Sequence, residues 1–159
     1  MKKPFISTAL SPLFIVVAPF CANAATDVIP FSGTVDAVCS IMVDTPGVMV
    51  VDVAHTELST QQPGGAAGVA TIETSNASFS VSAATPVSFT SAPAGGDNDV
   101  TFATFYNASG ATTLSNIAGD TPSPLEQGIT TVSVDLAATK ASGTFPEGNY
   151  AADVVVTCE

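Results

Sequence analysis

FSGTVDAVC, residues 31–39, alternates with the residues just before it. Ile29, Phe31, Gly33, Val35, Ala37 and Cys39 share one parity, and Ser32, Thr34 and Asp36 share the other. Period-two alternation of this kind is the pattern of a half-buried β-strand. The far end of the chain repeats it: in NYAADVVVTCE (149–159), Tyr150, Ala152, Val154, Val156 and Cys158 oppose Asp153 and Thr157. Each strand would end in a cysteine on its core-facing parity. One bond could therefore join the first strand to the last, and the stretch predicts a fold whose two ends meet.

Between these ends, GVMVVDV (47–53), GVATIET (68–74), SFSVSA (78–83), PVSFT (86–90), DVTFATFYN (99–107) and GITTVSVDLAAT (128–139) are short and rich in Val, Thr and Phe. Each reads as a strand. Thr45-Pro46-Gly47 suits a type II turn and Phe145-Pro146-Glu147-Gly148 a type I turn. QQPGGAAG, APAGGDND and TPSPLEQG read as longer loops. VAHTELST (53–60) is the one helix candidate. Short strands punctuated by Pro and Gly predict an all-β chain, a single immunoglobulin-like or pilin-like β-sandwich of about 7–8 strands over residues 25–159. The lack of Trp sets it apart from antibody variable domains.

Residues 1–24, MKKPFISTALSPLFIVVAPFCANA, have a positive start, an apolar run and an Ala22-Asn23-Ala24 cleavage site. They read as a secretory signal peptide cleaved after Ala24. Pro12 and Pro19 interrupt the run, which is short for a bilayer span. Phe20 before Cys21 is too large for lipoprotein processing. Cleavage removes Lys2, Lys3 and Cys21 and leaves Lys140 as the single basic residue against 14 acidic ones. Such a surface repels phosphate backbones and anionic lipid, which argues against nucleic acid and membrane surfaces as partners. No second apolar stretch is long enough for membrane insertion of the mature chain. The expected location is outside the cytoplasm: periplasm, cell surface or extracellular medium. Cys39 and Cys158 remain, an even count that in an exported chain predicts a disulfide. Closing so long a loop stabilises by about 4–5 kcal/mol in the unfolded-chain model.

Catalytic parts are missing. His55 is the only histidine and stands in no metal-ligand spacing. There is no nucleophile elbow, zinc-protease motif or Gly-rich phosphate loop. With no Arg, an anionic substrate has little to grip it. The reading assigns no catalytic, cofactor-binding or metal residue, and no cofactor. In GGDNDV (95–100), Asp97, Asn98 and Asp99 offer oxygens that could ligate calcium, although a polar hairpin loop is the plainer reading.

The pattern F-x-G-x-V with a cysteine four residues after the valine (Phe31, Gly33, Val35, Cys39) resembles an early strand of bacterial fimbrial subunits. It is similar also in the related secreted pilin-like β-sandwich proteins, the spore-coat-U-like group among them. FPEGNYAADVVVTCE (145–159) resembles their closing hairpin, where a Gly and an aromatic precede an alternating valine strand. The resemblance implies a non-enzymatic exported structural protein, a pilin-like or coat-like subunit of a cell-surface or extracellular assembly. Self-association, other surface subunits and a periplasmic chaperone are its implied partners. The alternative is a monomeric secreted binding module, adhesin-like, for a glycan or protein ligand. The chain departs from the group in three ways, one being that Cys158 stands next to last, where those subunits tend to have an aromatic. Pilin subunits pair the first cysteine with one at the end of the second strand, and here none stands there. Few residues (25–38) precede Cys39 to serve as a donated strand, and the expected first strand fills most of them. Strands flanking an inserted one lie about 9.6 Å apart, twice the 4.8 Å spacing, beyond the Cα reach of a disulfide at ~7 Å. A Cys39–Cys158 bond thus predicts a sandwich closed within one chain, with no lane for a donor.

Overall fold

The computed structural model describes residues 24–159. The leader expected over 1–24, with Lys2, Lys3 and Cys21, lies outside the described residues apart from an exposed Ala24. The chain divides into two compact units at Thr34/Val35. In the first, residues 24–34 form no helix or strand and are exposed throughout.

The second unit is all antiparallel β. Its strands are β1 (Cys39–Thr45), β2 (Val50–Val51), β3 (Glu57–Ser59), β4 (Gly68–Thr74), β5 (Ser80–Ala84), β6 (Val100–Gly110), β7 (Leu114–Ala118), β8 (Ser123–Pro124), β9 (Gly128–Lys140) and β10 (Val155–Cys158). Apart from the two- or three-residue pieces β2, β3 and β8, seven strands of four residues or more remain, in line with the expected count. The ten strands form a seven-stranded and a three-stranded sheet, the two layers of a sandwich.

β9 organises the larger sheet. One edge pairs with β4 through Gly68↔Val134 to Thr74↔Gly128, and further along with β3 through Glu57↔Thr139 to Ser59↔Ala137. The other edge pairs with β6 from Val100↔Lys140 to Gly110↔Thr130. β1 adds to β4, β2 to β3 and β7 to β6. The smaller sheet runs β10-β5-β8. The alternation of β9 explains its place: Thr130, Val132, Val134, Leu136 and Ala138 are buried, and Thr131 and Thr139 are exposed.

The inward residues form two clusters. Ile72, Val81, Tyr106, Leu125, Val132 and Val134 pack between the sheets. Leu58, Phe89, Ala138 and Phe145 form the second, with Phe102 and Tyr150 against it. In that cluster Phe89 meets Phe102 and Tyr150 edge-on at centroid distances of 4.9 and 5.0 Å, a geometry suited to ring quadrupoles.

Several local expectations change. The closing strand, expected from Tyr150, forms only over Val155–Cys158 after an isolated Ser91–Ala151 bridge, and GVMVVDV shortens to β2. The strand expected over 31–39 does not form; the chain is irregular and exposed through Val38, and β1 starts at Cys39. Alternation supplies two faces, but a strand also needs a partner ladder, and residues 31–37 pair with none. VAHTELST is a turn followed by β3 rather than a helix. The Asp52 carboxylate accepts the N–H groups of Thr56 (2.7 Å) and Glu57 (3.0 Å), and His55 takes a left-handed φ of 58°. PVSFT is a loop whose Thr90 N–H donates to the Ala151 carbonyl (2.7 Å). Gly47 is not left-handed, so the type II turn is absent, and the chain runs on to a Val48–Ala66 bridge.

Candidate docking groove

β1 is an edge strand of the larger sheet, bonded only to β4, and β10 is an edge strand of the smaller, bonded only to β5. Neither is hydrogen-bonded to the other. The space between them is a groove of about 310 Å³. Val43, Thr45, Pro46 and Gly47 form one bank, and Ala152, Asp153, Val154 and Val156 the other. Ala70 of β4 with Val134 and Leu136 of β9 also line it. Val43 shares the parity of Cys39, the face a complete sandwich would bury, yet it is 74% exposed. The two sheets thus leave an apolar seam between edge strand β1 and the C-terminal run, which is irregular through Val154 and becomes β10 at Val155.

The expected disulfide is present. Cys39 and Cys158 are bonded across 119 residues of sequence with a Cα–Cα distance of 6.4 Å, and both pack against the main core. The bond joins the two sheet edges at one point only. At the bond the 6.4 Å Cα spacing leaves no lane for a donor, as expected, and the groove lies beyond it, lined from Val43 on one bank and Val156 on the other.

In the first unit, Ile29 (76%) and Phe31 (93%) are exposed, and Val35 (91%), which opens the second, continues their parity. Val38 is where this stretch joins β1. Its N–H donates to Ser75 Oγ (2.7 Å), and its carbonyl accepts the Ser75 N–H (2.9 Å). The second bond extends the β1–β4 backbone pairing one residue past Cys39, and the first anchors the same residue through a side chain.

The GGDNDV loop is held by its own chain. Lys140 Nζ donates to the carbonyls of Gly95 (3.1 Å) and Asn98 (2.8 Å), so an ammonium sits where a cation would. Asp97 accepts the Phe89 N–H (3.1 Å) and Asp99 the Ser142 hydroxyl (2.8 Å). Among the described residues no three or more His, Cys, Asp or Glu side chains gather as a metal site. His55 is exposed beside a second cleft of about 400 Å³ lined by Val51, Leu58, Phe145 and Tyr150. Burial raises the Tyr150 phenol above its ordinary range. Among the described residues no helix is long and apolar enough to cross a membrane.

The groove residues were missed in the sequence. The available signal was CSIMVDT (39–45), where the alternation of Ile41 and Val43 continues through the cysteine. No family model, no curated protein and no solved structure matches this chain.

Proposed function

We propose that this chain is a non-enzymatic, exported structural subunit of a cell-surface or extracellular assembly, in which residues 29–35 of one copy fill the groove of the next. One observation carries the reading: an exposed alternating apolar segment stands on the same chain as an apolar groove between edge strand β1 and the C-terminal run. A strand laid in the seam would pair with both edges and bury Ile29, Phe31 and Val35. Full burial of side chains of this size is worth about 1.5–3 kcal/mol each before the costs of association. Pairing with an exposed sheet edge is a general mode of protein recognition. The leader sequence and the disulfide both support export.

The test is electrophoresis of surface-sheared material, unheated and heated, without reductant. A ladder that collapses to one band on heating is expected, and Phe31→Asp should abolish it while leaving a folded monomer. A wild-type protein that runs as a monomer in both lanes removes the proposal. The aromatic cleft beside Phe145 and Tyr150 supports the second reading, a monomeric adhesin-like module. A monomer whose Tm rises with a glycan or protein ligand would favour it.

A further inference from the structure

The position of the disulfide bears on how a strand could sit in the groove. A strand bonded on both sides holds its neighbours about 9.6 Å apart, twice the 4.8 Å spacing. The Cα atoms of Cys39 and Cys158 are 6.4 Å apart, so no third backbone passes between them. From the bond, β1 runs away through Ile41, Val43 and Thr45. The C-terminal run approaches it through Ala152, Val154 and Val156, and the groove opens between. The lining bank from Val43 to Gly47 has the same number of residues as Phe31 to Val35, and Ile41 lies between that bank and the bond. Ile29, Phe31, Gly33 and Val35 share a parity, so all four would face the core side of the seam.

Orientation follows from the tether. Only Asp36, Ala37 and Val38 separate Val35 from Cys39 in its own core, a reach of about 3.5 Å per residue. Val38 is itself clasped by Ser75. The donor's sandwich must therefore stand at the open end of the acceptor's groove, with Val35 there and Ile29 at the closed end. We infer that the Cys39–Cys158 bond is the end stop of the groove: it halts Ile29 of the inserted segment and fixes its register, antiparallel to β10. The inference rests on the assembly reading above. Its physical use is against slippage, because a two-residue slide keeps the parity and parity alone does not forbid it.

The test places a photo-crosslinking amino acid at position 28 or 31 of the full chain, in sheared assemblies, and maps the intermolecular products by mass spectrometry. From position 31 the dominant partners should be Val43 and Val154, and from position 28 they should be Ser40 and Thr157. Products from position 28 to Ser75 or Ser80, past the bond, would mean that the segment is not stopped and overturn the inference. In a Cys39→Ser/Cys158→Ser chain the ladder should persist while the products from position 31 spread toward Thr157. An unchanged pattern there also overturns it. Should that double variant not fold, the position-28 map of the wild type decides alone. A wild type with neither ladder nor intermolecular products removes the assembly reading and the end stop together. A ladder with products past the bond removes only the end stop.

Discussion

Tyr106 is fully buried, and its hydroxyl has the carbonyls of Thr121 (2.7 Å) and Val81 (3.1 Å) and the Oγ of Ser123 (2.7 Å) within hydrogen-bond distance. One phenol thus ties β6 to β5 and to the chain entering β8. Tyr106→Phe keeps the ring and strands those partners in a dry core, so it should cost about 1–3 kcal/mol in a urea melt. A loss near zero would mean that water reaches the site. Asp52 works at the surface instead. The Glu57 N–H, more than any other group, holds its carboxyl below the usual range, with further help from Thr56. The Thr85 N–H does the same for Asp120. Folded values depressed below the unfolded one, about 3.9 for Asp, give stability that is present above pH 4 and lost as pH falls through the folded values. Asp52→Asn keeps an acceptor and drops the charge. Its Tm should lie below wild type at pH 7, with a gap that narrows below pH 4. A gap constant with pH would assign the effect to geometry rather than charge.

Among the elements, legibility followed partner strands. GVATIET was readable as β4 to the residue, and GITTVSVDLAAT as β9 within one, because each alternates and lies between two neighbours that bury one face. FSGTVDAVC alternates as cleanly, but no ladder receives it, so local pattern alone placed the first strand eight residues early. PVSFT and VAHTELST were misread for different reasons: Phe89 is buried in a loop by tertiary packing, and Asp52, just before the second stretch, gathers the amides of Thr56 and Glu57 into a local turn. The disulfide was legible from count and parity. The groove beside it was not, since it depends on which two edges are left unpaired. β1 is bonded to one strand, and its link to β10 is covalent. Cys158→Ser should therefore cost about 4–5 kcal/mol, the entropy of releasing so long a loop. Urea midpoints of oxidised wild type and the variant measure it. A loss below about 1 kcal/mol would show that the unfolded chain keeps those ends close.

At the scale of the whole molecule, charge opposes the association proposed for it. Beyond residue 24 the chain carries 14 acidic side chains and Lys140 alone on the other side, and Lys140 is engaged with the Gly95 and Asn98 carbonyls. Two copies approaching one another repel at long range, whereas the contacts offered by Ile29, Phe31 and Val35 are apolar and short-ranged. Salt separates the two effects. Raising it shortens the screening length from about 30 Å at 0.01 M to about 3 Å at 1 M, and it does not weaken apolar burial. The rate at which heat-dissociated subunits regain a ladder on cooling should therefore rise with NaCl over that range. Phe31→Asp chains should stay monomeric at every concentration. A rate that falls with salt would point to opposite charges meeting across the seam. The one acidic residue lining the groove, Asp153, would then have to face a cation that no side chain of residues 25–38 supplies, and the side chains named as the occupant would be the wrong ones.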